Sequence, residues 1–214
     1  MGQTFLKNIS QMTNKCNYCG NTQFQQPAWR DWSCPNAECI VCFSTERHRS
    51  LKKVLDEHKE QFNNLSLLHL SDEPFIEQYI YPWFGKTETS IYGVSNSIDI
   101  QKINRRDHSY DVIFCNHVLE HVENDTTAIK ELLRILKVCG MLFITVPNPV
   151  MYKETKDWGY PDSTNHDHYR IYGRDLVYKL DETVGSTGKV KAYKVEDPIT
   201  GVKDIVYKIT KNNI

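Results

Sequence analysis

From residue 44 onward the apolar positions of the chain follow two rhythms. Between residues 44 and 62, Leu51, Val54, Leu55 and Phe62 recur near one helical stripe with charged residues around them, which predicts an amphipathic helix. Short apolar runs then alternate with helical ones. Residues 65–70 (LSLLHL) predict a strand, 74–81 a short helix, 90–94 (SIYGV) a second strand and 98–103 a short third. Residues 111–115 (DVIFC) form a stronger apolar run. Residues 124–137 predict a helix with Ile129, Leu132, Leu133 and Leu136 on one face, and 141–146 (MLFITV) a buried strand stopped by Pro147 and Pro149. After a loop rich in Tyr, Trp, Pro and His, residues 173–183 read as a helix. Residues 189–195 and 202–210 flank Asp197-Pro198-Ile199-Thr200-Gly201 and read as an antiparallel hairpin. Apolar strands separated by helices imply an α/β domain whose mostly parallel sheet is covered on both faces, with function at the carboxyl ends of its strands.

The first part of the chain lacks both rhythms. Residues 1–15 are polar and expected to be flexible. Residues 16–49 are rich in Cys, Trp and polar side chains, so something other than an apolar core must order them, and a metal ion is the natural candidate. The expected organisation is a flexible N-terminus (1–15), a zinc-binding subdomain (16–49) and one main domain (50–214), a size that can bury its own core. Five of the seven cysteines fall between Cys16 and Cys42. That crowding fits metal ligation in a reducing compartment better than a disulfide framework. Cys16-x2-Cys19 and Cys39-x2-Cys42 are two thiolate pairs able to converge tetrahedrally on Zn²⁺, although Cys34 could supply one ligand instead. Four thiolates leave no open position, so the zinc is expected to be structural. Cys115 and Cys139 read as small buried hydrophobes.

Charge narrows the possible partners. A formal net charge of -1 gives no global basic field, which counts against nucleic acid and anionic membranes. The absence of a run of about 20 apolar residues and of a secretory h-region predicts a cytoplasmic protein with no membrane association. No residue pattern specifies an oligomeric state.

The turn after the first strand reads LLHLSDEP, without the glycines of a dinucleotide-binding loop. The segment SYDVIFCNHVLEHVENDTTAIKELLRILKVCGMLFITVP nevertheless resembles the fourth strand, loop, helix and fifth strand of class I S-adenosylmethionine-dependent methyltransferases. CIVCFSTERHRSL, LLHLSDEP and HDHYRIYGRDL are similar to segments of a bacterial subset of that family with N-terminal four-cysteine zinc knuckles. The resemblance implies a Rossmann-like fold, methyl transfer and S-adenosylmethionine as cofactor. Carried over by position, Ser71, Asp72 and Glu73 flank the methionine end of the cofactor, and Ser95 stands where an acid usually meets the ribose. Asp99 accepts from the adenine amino group, with Ile100 against the ring. Asn116 and His117 approach the methionine moiety or the substrate, and Cys139 occupies a usual glycine position.

Methyl transfer to oxygen or nitrogen also needs a group to remove a proton. His166, His168 and His117 are the catalytic candidates, with Asp167 or Glu120 to orient an imidazole; the His166-Asp167-His168 run could instead bind a metal. His121 is expected to be structural. Arg170 and Arg174 could hold an anionic acceptor or pair with neighbouring acids, and Trp158, Tyr160, Tyr169 and Tyr172 could form a flat acceptor surface or anchor a lid. Three readings follow. One is O-methylation of a small or glycan-type acceptor. Another is nucleic-acid methylation, with Arg47-His48-Arg49 and Lys52-Lys53 gripping phosphate. The third is a catalytically silent binding module.

Overall fold

A computed structural model describes residues 14–28, 36–71, 73–94 and 97–213. Two short strands, β1 (Phe24–Gln25) and β2 (Glu38–Cys39), pair antiparallel and bring the two cysteine turns together. Helix α1 (Glu46–Asp56) follows. The main sheet contains β3 (Ser66–His69), β4 (Lys86–Thr89), β5 (Tyr110–Asn116), β6 (Leu136–Thr145), β9 (Gly188–Glu196) and β10 (Lys203–Lys211) in the order β4-β3-β5-β6-β10-β9. The first four are mutually parallel, and β10 and β9 run antiparallel as the expected hairpin. Helices α2 (Pro74–Tyr79), α3 (Asp125–Ile135) and α4 (Leu176–Val184) fill the connections. This is the mostly parallel, Rossmann-like α/β architecture.

Alternation along the strands decides which helix covers which face. Ile113 and Cys115, with Leu142 and Ile144, join Ile129, Leu132, Leu176 and Leu180 of α3 and α4. Val112 and Phe114, with Phe143 and Val206, face Leu51, Val54, Leu55 and Ile76 of α1 and α2. Cys16, Cys39 and Cys42 belong to that second cluster, so the cysteine turns pack on the same core as the sheet.

Several expectations need correction. Residues 90–94 are not a strand: the second parallel strand is β4, whose Lys-Thr-Glu-Thr sequence is polar because it lies at the sheet edge and is selected by backbone pairing with β3. Residues 98–103 form turns, with Asp99 Oδ1 accepting from the amide of Gln101 at 2.8 Å. Ile98, Ile100 and Ile103 are apolar because they plug the core from that loop. The helix read at 44–62 ends at Asp56, and a separate 3-10 turn, Lys59–Gln61, carries Phe62 into the core. The loop expected before residue 173 contains a second hairpin, β7 (Lys156–Asp162) with β8 (His168–Ile171). Cys139 is exposed, not buried, and holds φ +60 in a bulge where pairing jumps from Tyr110–Leu136 to Val112–Met141. That left-handed backbone is the reason a glycine suits the position.

One buried ion pair ties the ends of the chain together. Arg49, 0 % exposed, donates from Nε and Nη2 to the two carboxylate oxygens of Asp197, both at 2.8 Å. Its Nη1 donates to the carbonyls of Ala37 and Ser44, while Asp197 also accepts from the Thr200 amide and hydroxyl.

Candidate active site

The cysteine turns share one backbone form. In each, the residue after the second cysteine is left-handed, Gly20 at φ 77 and Phe43 at φ 59, and its amide donates to the carbonyl of the first cysteine. The sulfurs of Cys16 and Cys42 lie 3.5 Å apart, as do those of Cys19 and Cys39, and all four fall within 4.8 Å of one another. Four ligands at about 2.3 Å from a tetrahedral ion would stand about 3.8 Å apart, so Cys16, Cys19, Cys39 and Cys42 fit Zn²⁺ with small adjustment. The Ser44 hydroxyl, 3.3 Å from the sulfur of Cys16 and 3.2 Å from that of Cys42, supplies a supporting contact. Cys34 lies outside the described residues. Purified protein is expected to retain zinc at this set, and Cys16→Ser or Cys42→Ser to release it, by elemental analysis after dialysis against chelator. Zinc retention in both variants would remove these residues from the ligand set.

At the carboxyl end of the parallel strands, the place of the missing glycine turn is taken by a polar knot around Glu73. His48 Nε2 from α1 lies 3.2 Å from one carboxylate oxygen. The other accepts from Ser71 Oγ and Asn116 Nδ2, both at 3.1 Å, and lies 3.2 Å from His69 Nε2. Asn116 is further tied by the Thr145 hydroxyl. Burial pushes the Glu73 carboxyl up, but the hydrogen bonds of His48 and His69 outweigh it and hold it well below the usual carboxylate range. Burial likewise drives His48 down to about 4, leaving a neutral ring. The Thr45 amide donates to its Nδ1 at 2.9 Å, and Arg47 Nε lies 2.9 Å from its Nε2. Ser71, Glu73 and Asn116 thus come together, held by His48, read from the sequence only as part of a possible phosphate grip, and by His69, which the sequence reading did not assign to the site. The sequence signals for them were the Glu-Arg-His-Arg run for His48 and the LLHLSDEP segment for His69. Asp72 and Ser95 lie outside the described residues. Asp99 is exposed on the loop after β4, and Ile100 beside it is buried.

A second polar group stands beyond β5. His117 is left-handed at φ 53, and its buried Nε2 has no hydrogen-bond partner among the described residues. Its Nδ1 is 3.5 Å from Oε1 of Glu120, which sits in the 3-10 turn Leu119–His121. The His121 and His168 rings meet edge to face at 4.6 Å, and the His166 ring lies 5.8 Å from His168. His166 and Asp167 are exposed and left-handed at the hairpin tip, whereas His168 is buried.

Arg170 is not free to hold an acceptor. At 2 % exposure it donates to Asp157 and to the carbonyls of Leu119, Val122 and Glu123, clamping the loop after β5. Tyr172 is buried as well, its hydroxyl donating to Asp125, so it anchors the hairpin and offers no open surface. Arg174 is exposed and lines a cleft with Lys194, Lys203 and Asp204. Of the basic run at 47–53, His48, Arg49 and Lys52 are buried, with Lys52 paired to Asp56, so these three do not present a phosphate grip. No helix among the described residues is long and apolar enough to cross a membrane.

Residues 88–144 match the family model described as a methyltransferase domain. No curated relative matches the sequence. Among solved structures, a SAM dependent methyltransferase from Aquifex aeolicus is 20% identical, with a TM-score of 0.51 over 75% of this chain and 88% of that one. The YcgJ protein from Bacillus subtilis is 12% identical, with a TM-score of 0.55 over 78% of this chain and 100% of that one. The [4+2]-cyclase SpnF, 10% identical with a TM-score of 0.55 over 89% of this chain and 86% of that one, shows that neighbours of this fold differ in reaction. The methyltransferase match runs from the end of β4 through nearly all of β6, taking in Asp99, Asn116 and His117. The chain therefore carries a methyltransferase-domain match over residues 88–144 within a fold shared with Rossmann-like S-adenosylmethionine-dependent methyltransferases.

Proposed function

We propose that the protein methylates a hydroxyl of a small or glycan-type acceptor, with His117 as the base. The observation that carries this reading is the buried, unpartnered Nε2 of His117, held in a left-handed backbone at the end of a central strand. An unmade hydrogen bond on a buried nitrogen costs about 1–3 kcal/mol, and strained, unsatisfied groups of this kind gather where a ligand completes them. Glu120 stands on the Nδ1 side and orients the ring, as a carboxylate orients a basic imidazole. His166 and Asp167, both exposed at the hairpin tip, have no comparable support.

S-adenosylmethionine, when bound, supplies an electrophilic methyl group on a sulfonium. The chain has residues suited to hold it at this edge. Asp99 has an exposed carboxylate for the adenine amino group, and Ile100 beside it anchors the loop after β4 in the core. Ser71, Glu73 and Asn116 set the shape and charge of the methionine end through their shared knot, in place of bare glycine amides. The near-neutral chain and the burial of His48, Arg49 and Lys52 favour a small acceptor over nucleic acid. Exposed Tyr160 and partly exposed Trp158 offer flat surface for a sugar or aromatic ring.

Calorimetric titration with S-adenosylmethionine and S-adenosylhomocysteine tests the reading. Asp99→Ala is expected to weaken binding by about 1.5–3 kcal/mol, the range for a hydrogen bond to a charged group. An unchanged affinity would take Asp99 out of the site. No binding by the parent protein would leave the fold as a silent module.

A further inference from the structure

We propose that Glu120, His121 and His168 form a second metal site, for a divalent first-row transition ion such as Zn²⁺, separate from the cysteine set. One ligand atom from each of the three residues lies within 4.8 Å of the others. Two imidazoles and one carboxylate are the borderline nitrogen and oxygen donors that such ions select. A tetrahedral ion asks for ligand atoms about 3.4 Å apart, a change that the exposed His121 ring can make by a side-chain rotation.

Glu120 points independently to an ion. It is 1 % exposed, and neither carboxylate oxygen has a hydrogen-bond partner among the described residues. The nearest charge partner is His117 Nδ1, at 3.5 Å from Oε1. A carboxylate buried with so little compensation is costly unless a cation completes it. Arg170, the arginine that clamps this loop, is turned away into Asp157 and three carbonyls.

The same arginine accounts for the preorganisation of the set. Its hydrogen bonds to Leu119, Val122 and Glu123 hold the turn that carries Glu120 and His121, and its own strand, β8, begins at His168. One clamp therefore fixes all three ligands relative to one another, as supporting contacts do in built metal sites. Three protein ligands, one of them at the surface, leave a coordination position open, the pattern of a working site rather than a structural one. Because Glu120 also meets His117, the open position lies on the acceptor side, where an ion would bind and orient an acceptor oxygen. That last assignment rests on the methyl-transfer reading; the metal site itself does not.

The test uses the full chain loaded with Co²⁺ or Zn²⁺ and dialysed to equilibrium. Two ions per chain are expected, and with Co²⁺ only one of them should show thiolate charge-transfer absorption. Glu120→Gln and His121→Ala should each weaken the non-thiolate ion at least tenfold, on the order of the change seen when a metal site loses a supporting contact, and leave the thiolate ion in place. His121 is exposed, so its removal does not test folding; His166→Ala should keep both ions. One ion per chain in the parent, or two undiminished ions in both variants, would overturn the site. Titration with S-adenosylmethionine is read separately: failure of cofactor binding with both ions retained sinks the methyl-transfer reading and leaves the metal site standing.

Discussion

Arg49→Ala is expected to cost the fold about 3–5 kcal/mol, because it strands the carboxylate of Asp197 in the interior. Arg49 and Asp197 are 148 positions apart in sequence and joined by two parallel hydrogen bonds, both fully buried. Asp197→Ala should cost a similar amount, since it leaves a guanidinium with two carbonyls and no counter-charge. Arg49→Lys should fall only partly short of alanine, as an ammonium cannot reproduce the planar fork. Urea unfolding at neutral pH measures all three, and the double variant Arg49→Met with Asp197→Leu recovers much of the loss if the cost is the unpaired charge. A loss below about 1 kcal/mol in both single alanine variants, the range of an exposed pair, would show that water reaches this contact in solution.

His117→Ala is expected to lower methyl transfer by about 10²- to 10⁴-fold, the usual worth of a positioned base, while S-adenosylmethionine affinity stays within a few fold. The readout is formation of S-adenosylhomocysteine against a panel of hydroxylated sugars and phenols, paired with calorimetry on the same preparation. His166→Ala serves as the contrast, since that ring is exposed at the hairpin tip. Its turnover should remain near that of the parent. Full activity in His117→Ala together with a large loss in His166→Ala would return the role to the hairpin tip, and a joint loss of cofactor affinity would place His117 on the donor side.

The parts of this molecule legible in its sequence are those written locally. β3, β5 and β6 are covered on both faces and therefore appear as continuous apolar runs, and the two Cys-x2-Cys pairs announce themselves by spacing alone. β4 and the β7–β8 hairpin were illegible for the opposite reason. The side chains of β4 and β7 are largely exposed and polar, the buried ones of β8, His168 and Arg170, are polar too, and backbone pairing with a neighbour, which leaves no periodic trace, decides their place. The resemblance to a methyltransferase family led to Glu73, Asn116 and His117, but not to what engages them. His48 and His69 reach Glu73 from different elements, and Arg170 turned from an expected anion ligand into a clamp because its partners are carbonyls, which every sequence contains.

The Glu73 knot also bears on how this region opens. Its four donors come from α1, from β3 and the loop after it, and from the end of β5. Fraying any one of these stretches exposes or orphans the same buried carboxylate, so none can detach at low free energy while the others stay native. They form one cooperative unit for native-state amide exchange, and the cysteine turns packed against α1 are drawn into it. An opening large enough to let solvent reach the donor edge from beneath would then be subglobal, involving the N-terminal turns and the central sheet together, and not the flapping of a surface loop.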